Sequence, residues 1–460
     1  MAKRPTKHGN FLEDFRPGQV FRHKRGKTIT EGLFAVFTDF CFTTNALAKN
    51  RRYAEAYGFR GLVAPPGLVM NVVFSQSVED VSENGRANLE YIDMRFGAPV
   101  CVGDTIEATS TVLGVKASSR ERDRGVVHVQ TVGRNQDGEV VLAYQRKVQV
   151  WKGDPETPVA EGEAPARDIP VALTLPPYDP RRDYRALAHL TGDDTYLEDF
   201  QASDVFEHSR GRVITTEHIA LTGMLDNTSQ VHCNQWMIDQ DPERFLGGQL
   251  IVYGGIPFSL CLGLSSPDVA DNALADVRYA TGRHTAPAFA GDTVFATTEI
   301  RGVSDLPGRP DLGVLDTVLR GHKFVRKGGA AEKVEIFYLE REIERDRRTV
   351  WDGVKNALAL KHLAAVATGD EVLVYHTGEE RAVVGIAKVV RGAYPDPKQK
   401  DTRLLMVDLQ PVKPLARPVA LGEMRANRRL AGFDLLRLPR LSVMPVSAEQ
   451  WAAIMEMARR

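Results

Sequence analysis

The sequence predicts an α+β fold in which one unit, a single helix wrapped by an antiparallel sheet, occurs twice in tandem and is followed by a smaller third module. Three observations carry this expectation. LEDFRPGQVFRHKRGKTIT at 12–30 returns as LEDFQASDVFEHSRGRVIT at 197–215, with Leu12, Phe15, Val20, Phe21, Arg25, Gly26, Ile29 and Thr30 all recurring 185 residues on. RFGAPVCVGDT at 95–105 returns as RHTAPAFAGDT at 283–293, now 188 residues on, and Gly67 returns as Gly255 at the same offset. The material after residue 343 follows neither copy. Self-similarity at a domain-sized offset marks a duplicated unit, and a chain of 460 residues is too long for one core.

Each copy carries a small polar stretch and then a short apolar helix candidate, LVMNVVFS from 68 and IPFSLCLG from 256. Strands with partial period-two alternation follow, such as VVHVQTV at 126–132 and VLDTVLR at 314–320. Asp137-Gly138 and Gly328-Gly329 mark hairpin turns, because both central positions of a tight hairpin turn favour residues that tolerate positive φ. Between the copies, DPETPVAEGEAPARDIPVALTLPPYDP at 154–180 has seven prolines and few large apolar residues, and reads as a semi-rigid linker. The expected divisions are a first copy at 10–152, a linker at 153–190, a second copy at 191–343 and a third module at 349–460. The charged run REIERDRR at 341–348 is expected to separate the last two. Ser447, with Gln450 three positions on, is expected to open the final helix with a capping box.

A formal net charge of −1 argues against a whole-molecule electrostatic grip on nucleic acid or anionic membrane. No run approaches the roughly eighteen apolar residues of a membrane span, and no apolar stretch backs the basic start MAKRPTKHGN. Cys41, Cys101, Cys233 and Cys261 form no C-x-x-C pair, which speaks against a disulfide scaffold or structural zinc and for reduced thiols in the cytoplasm. No glycine-rich dinucleotide fingerprint and no metal-ligand cluster occurs, so no metal, flavin or nicotinamide cofactor is expected.

The element order, the duplication and the repeated R-(x)2-A-P-(x)3-G-D-T segment resemble the tandem, or double, hot-dog fold of the MaoC-type enoyl-CoA hydratases, over roughly residues 10 to 342. GNFLEDF near the start, NTSQVH in the second copy and TGRHT at 281–285 resemble the mesaconyl-CoA hydratase (beta-methylmalyl-CoA dehydratase) branch. That resemblance implies reversible addition of water across a 2-enoyl-CoA double bond, with CoA entering only as part of the substrate. It also implies a homodimer. Its members typically carry a D-x-N-P-x-H-x-D segment whose Asp and His act on water and on the substrate carbon. Registered on that segment, the first copy reads TTNALAKN, with Thr43 and Ala48 at the two positions. Neither side chain exchanges a proton near neutral pH, so the first copy is expected to be silent.

In the second copy the register gives NTSQVHCN, which keeps His232 but sets Asn227 at the acid position, with Asp226 one place off. Three assignments stand open. His232 is the sole acid/base with Asn227 holding the water, or Asp226 reaches in through a backbone shift, or the site is dead. Chemistry favours the first, because one histidine can serve both proton steps while a carboxamide can only orient water. The resemblance sets Gly254 and Gly255, before the apolar helix, as oxyanion donors. Arg283 and His284 are candidates for the free carboxylate of a dicarboxylyl substrate, a guanidinium being suited to it, although Arg95 holds the equivalent place in the first copy.

WDGVKN at 351–356, EVLVYHTGEERAVVGIAKVV at 371–390, AYPDP at 393–397 and RLSVMPVSAEQW at 440–451 resemble the EVE domain, a PUA-like small β-barrel. That family is thought to hold modified nucleobases, which makes Trp351, Asn356, Tyr375 and His376 pocket candidates and nucleic acid a possible partner. EVE domains usually open on a strand reading like Y-W-L-x-K-S-E-P; here FYLEREIERDRR stands instead, so either the preceding strand substitutes for it or the module is a truncated remnant. Two functions compete: an acyl-CoA hydratase/dehydratase acting on a branched dicarboxylyl substrate such as mesaconyl-CoA, and a non-catalytic acyl-CoA sensor or nucleic-acid reader.

Overall fold

The computed structural model describes residues 8–177, 187, 190–191, 196–306, 309, 312–346, 349–351, 354, 356–376, 381–395, 403–438 and 441–459. In chain order the strands are β1 (Val20–Arg22), β2 (Lys27–Thr28), β3 (Gly85–Phe96), β4 (Thr105–Ala117), β5 (Arg124–Arg134), β6 (Val140–Trp151), β7 (Gly162–Glu163), β8 (Val205–Val213), β9 (Ala273–His284), β10 (Thr293–Asp305), β11 (Leu312–Lys327) and β12 (Ala330–Asp346). The third module adds β13 (Thr349–Trp351), β14 (Glu371–His376), β15 (Ala382–Pro395) and β16 (Leu405–Ala420).

The first twelve strands form one sheet with the path β1-β4-β5-β6-β3-β9-β12-β11-β10-β8, and β2 and β7 attach to β4. The copies join where β3 pairs antiparallel with β9, Tyr91 opposite Gly282 and Met94 opposite Tyr279. Because Tyr91 and Tyr279, like Met94 and Gly282, are 188 residues apart, this register is that of a pseudo-two-fold axis. The expected hairpins are present, with positive φ at Gly138 between β5 and β6 and at Gly328 and Gly329 between β11 and β12.

Two helices, Pro66–Gln76 and Gly255–Val269, lie under the curved sheet. Both are mostly apolar and buried on nearly every side, as a helix wrapped by other elements is. Leu68, Met70, Val72, Val73, Ile256, Phe258, Leu260 and Cys261 form a shared core with strand residues of both copies. The helices touch at their first turns, where Asn71 Nδ2 donates to the Gly67 and Gly255 carbonyls and to Ser259 Oγ at 2.7, 3.2 and 2.9 Å. A Cβ on Gly255 would stand 1.7 Å from Asn71 Oδ1, and one on Gly67 would stand 2.7 Å from Ser259 Oγ. The recurrence of glycine at this offset is therefore explained by the close helix crossing.

Two further repeats are structural. Gly103 and Gly291 take φ of 98° and 99°, and the following Asp104 and Asp292 accept the backbone N–H three residues back, from Cys101 and Phe289. The G-D-T segment is thus a turn held by its aspartate. His23 bridges Asp80 and Ser110, and His208 bridges Asp268 and Thr298, through their two ring nitrogens. Ser110 is wholly buried, so this arrangement ties strand to helix end rather than presenting a nucleophile.

Two expectations need revision. REIERDRR does not separate the modules: β12 continues to Asp346, paired with β11 on one side and β9 on the other. Arg341, Glu344 and Arg345 are buried there, so the charge run is in part sheet interior. The proline-rich segment is also more than a spacer. Its β7 pairs with β4, Arg167 and Gln130 exchange backbone-to-side-chain hydrogen bonds, and Leu175 packs against the apolar cluster that includes Leu47, Tyr53 and Leu274. Residues 178–180 of that segment lie outside the described residues.

The third module is a separate four-stranded antiparallel sheet, β13-β16-β15-β14. It has its own apolar clusters, including Val383, Val419, Met424, Leu430, Phe433 and Ile454 in one and Ala359, Leu363, Val389 and Val407 in the other. Ser447 and Gln450 form the expected capping box at the final helix, Ala448–Met457. Both edges of β12 are occupied in the large sheet, so that strand does not substitute for the missing opening strand of the small one.

Candidate functional site

The pseudo-two-fold relation creates two equivalent cavities, each between the motif segment of one copy and the sheet of the other. The local backbone fixes the motif register. Phe42 and Asp226 both take a left-handed conformation, with φ of 56° and 60°. In the next residue the Thr43 and Asn227 N–H groups donate to the Thr38 and Thr222 carbonyls. Thr43 and Asn227 are therefore structural equivalents, and so are Ala48 and His232.

The second-copy cavity is lined by Asn227, Ser229, His232, Tyr253, Gly254 and His284 from its own copy. Across it the first copy contributes Phe74, Ser82, Arg86, Asn88, Tyr91 and Arg146. His232 ends a short 3-10 turn, and its Nδ1 lies 2.9 Å from the Ile251 carbonyl oxygen. A carbonyl only accepts, so Nδ1 carries the proton and Nε2 keeps the lone pair. Burial lowers the pKa of His232 to about 4, against the opposing pull of the Ile251 carbonyl, so the ring is neutral at pH 7. His284 is likewise lowered to about 4 by burial, and its Nε2 lies 3.2 Å from Tyr91 Oη.

Asn227 is buried, with Oδ1 accepting from Ser229 N at 3.1 Å. That bond fixes the amide so that Nδ2 remains the donor. Asp226 does not line the cavity. It stands at the left-handed corner before it and pairs with Lys27 Nζ at 2.8 Å. Gly254 lines the cavity at the start of the helix Gly255–Val269, where a Cβ would meet His284 Nε2 at 2.7 Å. Gly255 does not line it, being occupied with the helix crossing against Asn71. The helix start still directs partial positive charge there.

Arg283 and His284 part company. Side chains alternate across a strand, and Arg283 stacks on Tyr338, 4.0 Å from its ring centroid, away from the cavity lining. Arg95, its counterpart, pairs with Asp93. The cations that do line the cavity, Arg86 and Arg146, come from the first copy and were not singled out from the sequence. Comparing the copies strand by strand at the 188-residue offset would have flagged their surroundings, because Asn88 there corresponds to Asp276.

The first-copy cavity is lined by Thr43, Ala48, Phe96, Asp276 and Arg341, and by Leu173, Thr174 and Leu175 of the inter-copy segment. Among the described residues that line it there is no histidine, and an internal Arg341–Asp276 ion pair stands where the other cavity has Arg146 and Asn88.

In the third module, Asn356 Oδ1 accepts from Leu358 and Ala359 N–H and so caps a helix. Tyr375 packs against the apolar cluster of that module, His376 is exposed, and the Trp351 side chain lies outside the described residues. Across the described residues no cluster of three metal-ligating side chains occurs, and no helix is long and apolar enough to cross a membrane.

Residues 2–318 match the family model described as mesaconyl-CoA hydratase, and residues 333–457 match that of the EVE domain. The beta-methylmalyl-CoA dehydratase of Chloroflexus aurantiacus is 39% identical over 313 residues, covering 67% of this chain and 87% of that protein. The mesaconyl-CoA hydratase of Cereibacter sphaeroides is 34% identical over 305 residues, covering 64% and 84%. A solved structure from Chloroflexus aurantiacus described as a MaoC domain protein dehydratase superposes with a TM-score of 0.67 at 34% identity, covering 75% of this chain and all of the other.

Proposed function

Because the chain belongs to the mesaconyl-CoA hydratase family, we propose that it adds water reversibly across the double bond of a 2-enoyl-CoA, with mesaconyl-CoA and beta-methylmalyl-CoA as the pair. The observation that carries this reading is a neutral His232 with an available Nε2 lone pair, in a cavity that also holds Asn227 and a helix start.

In the hydration direction the Asn227 amide donates to a water and His232 Nε2 takes its proton. The water oxygen bonds to C3, and the C2=C3 electron pair shifts toward the thioester to give an enolate. N–H groups at the start of the helix Gly255–Val269 stabilise that oxyanion, Gly254 being the one against the cavity. The imidazolium then returns the proton to C2. One water is consumed and His232 is restored, so no cofactor enters the balance.

Arg86 lines both this cavity and the adjoining surface depression with Arg244 and Trp151, which supports a path for the CoA phosphates out of the site. The reading sets the reaction in the cytoplasm, where CoA thioesters and the four unpaired thiols belong, and takes the active species as a homodimer. A nucleic-acid role for the third module draws no support from Asn356 or Tyr375, which serve as a helix cap and a core residue.

The test is His232→Ala. Its kcat/KM for mesaconyl-CoA is expected to fall by about 10²–10⁴-fold with the unfolding midpoint retained, as for loss of a general acid/base. Turnover equal to the parent protein's would remove His232 from the mechanism.

A further inference from the structure

The two cavities differ in a way that identifies a ligand group. On the large sheet Arg146 of β6 stands opposite Tyr91 of β3, and Arg341 of β12 stands opposite Tyr279 of β9. The tyrosines are repeat equivalents, so the arginines are too. Three residues before each tyrosine lies the position that should neutralise the arginine: Asp276 in the second copy and Asn88 in the first.

In the second copy the pair is complete. Arg341 Nε and Nη2 donate to both oxygens of Asp276, and Tyr279 Oη donates to Asp276 Oδ1 at 3.0 Å. In the first copy it is not. Arg146 is 0% exposed, lies with its guanidinium 4.2 Å from the Phe74 centroid, and makes no ion pair among the described residues. Its Nη atoms donate only to Ser77 Oγ at 3.0 Å and Ser82 Oγ at 3.2 and 3.3 Å, and its Nε has no acceptor. Both amide atoms of Asn88 are buried without a partner as well. Burial lowers the Arg146 pKa, as it does for a cation removed from water with no anion beside it.

A buried guanidinium with no counter-ion is strongly unfavourable unless something in the working complex supplies the anion. Three unsatisfied polar groups, Arg146 Nε and the two atoms of the Asn88 amide, belong to residues that line the same cavity as His232. We propose that Arg146 and Asn88 form the subsite for the free carboxylate of the acyl group, the substrate occupying the place that Asp276 fills in the other copy. Ser77 and Ser82 brace the guanidinium from one side, leaving Nε for the carboxylate, while the Asn88 amide donates to it without competing for the arginine as an aspartate would. The subsite makes the cavity selective for dicarboxylyl over monocarboxylyl thioesters. It deepens the hydratase reading and rests on it for the reaction, though not for the carboxylate preference.

The test restores the internal pair with Asn88→Asp, with Arg146→Gln alongside, in the full-length protein. The readout is the ratio of kcat/KM for mesaconyl-CoA to that for crotonyl-CoA, together with the ratio of affinities for succinyl-CoA and butyryl-CoA as unreactive probes. Both ratios are expected to fall by at least about a hundredfold in each variant, because a site built for a polar group discriminates strongly by it. Asn88→Asp should also raise the thermal midpoint, which separates it from a merely disruptive change. A parent protein that hydrates neither thioester yet prefers succinyl-CoA, with that preference lost in Asn88→Asp, would leave the subsite standing and remove the hydratase reading. A parent that hydrates mesaconyl-CoA while both variants keep its ratios would overturn the subsite and leave the hydratase.

Discussion

At the scale of single residues, the account turns on groups whose burial sets their charge. The lowered pKa of His232 predicts that kcat/KM for the hydration stays level from pH 8 down to about 5 and halves near pH 4. A limb near the ordinary histidine value would contradict that burial. The same shifts bear on stability. For His232 and His284 the folded pKa lies below the unfolded one, so between about pH 6.5 and 4 the unfolded chain binds more protons. Their contribution is complete above about pH 6.5 and is lost as the pH falls, at up to about 1.4 kcal/mol per pH unit for each. Urea midpoints at pH 7, 6 and 5 should therefore descend. Asp276→Asn should cost about 3–5 kcal/mol, since it strands Arg341 as a buried cation, measured by urea unfolding at pH 7. Some of this chemistry was legible in the sequence: His232 stood out once the copies were registered. The choice between Asp226 and Asn227 was not, because it depends on the left-handed turn at Asp226, which carries that side chain to Lys27. Arg146 was hidden because nothing about a lone arginine in QRKVQV signals that its counter-ion is missing.

Among elements, the two central helices were the easiest to foresee, since eight-residue apolar runs after small residues have few other uses. Their crossing explains the repeated glycine better than a site does. Gly67→Ala is expected to destabilise by about 1–3 kcal/mol through overpacking against Ser259, and Gly255→Ala by at least as much, because its Cβ would also meet the Tyr253 ring at 2.6 Å. Calorimetric midpoints of the two variants check this. β12 departs from the expected boundary for a physical reason. Its charge run looks solvated in one dimension, yet period-two alternation carries Arg341, Ile343 and Arg345 to the interior, with Arg341 neutralised by Asp276. The EVE family match begins at residue 333, within this same strand, although the strand's pairing belongs to the large sheet. The prolines of the inter-copy segment point to a spacer. Its leucines, Leu173 and Leu175, instead line the first-copy cavity.

For the whole molecule, duplication followed by divergence organises the chemistry. One cavity keeps His232, His284 and an uncompensated Arg146; its twin carries Ala48, Phe96 and a closed Arg341–Asp276 pair, and is lined in part by the inter-copy segment. Each cavity borrows its sheet from the other copy, so neither copy holds a complete site by itself. Introducing Thr43→Asn and Ala48→His together should accordingly add no second active site in a His232→Ala background, because the carboxylate position is already filled by Asp276. The tandem arrangement was evident from the repeats, whereas the sharing of sheets followed only from the β3·β9 register. The most direct measurement is loss of enoyl-thioester absorbance on mixing the purified protein with mesaconyl-CoA, beside crotonyl-CoA and the His232→Ala variant. The account predicts rapid loss with mesaconyl-CoA, much slower loss with crotonyl-CoA and almost none with the variant. Equal rates for parent and variant, or no hydration of either thioester by the parent, would contradict it.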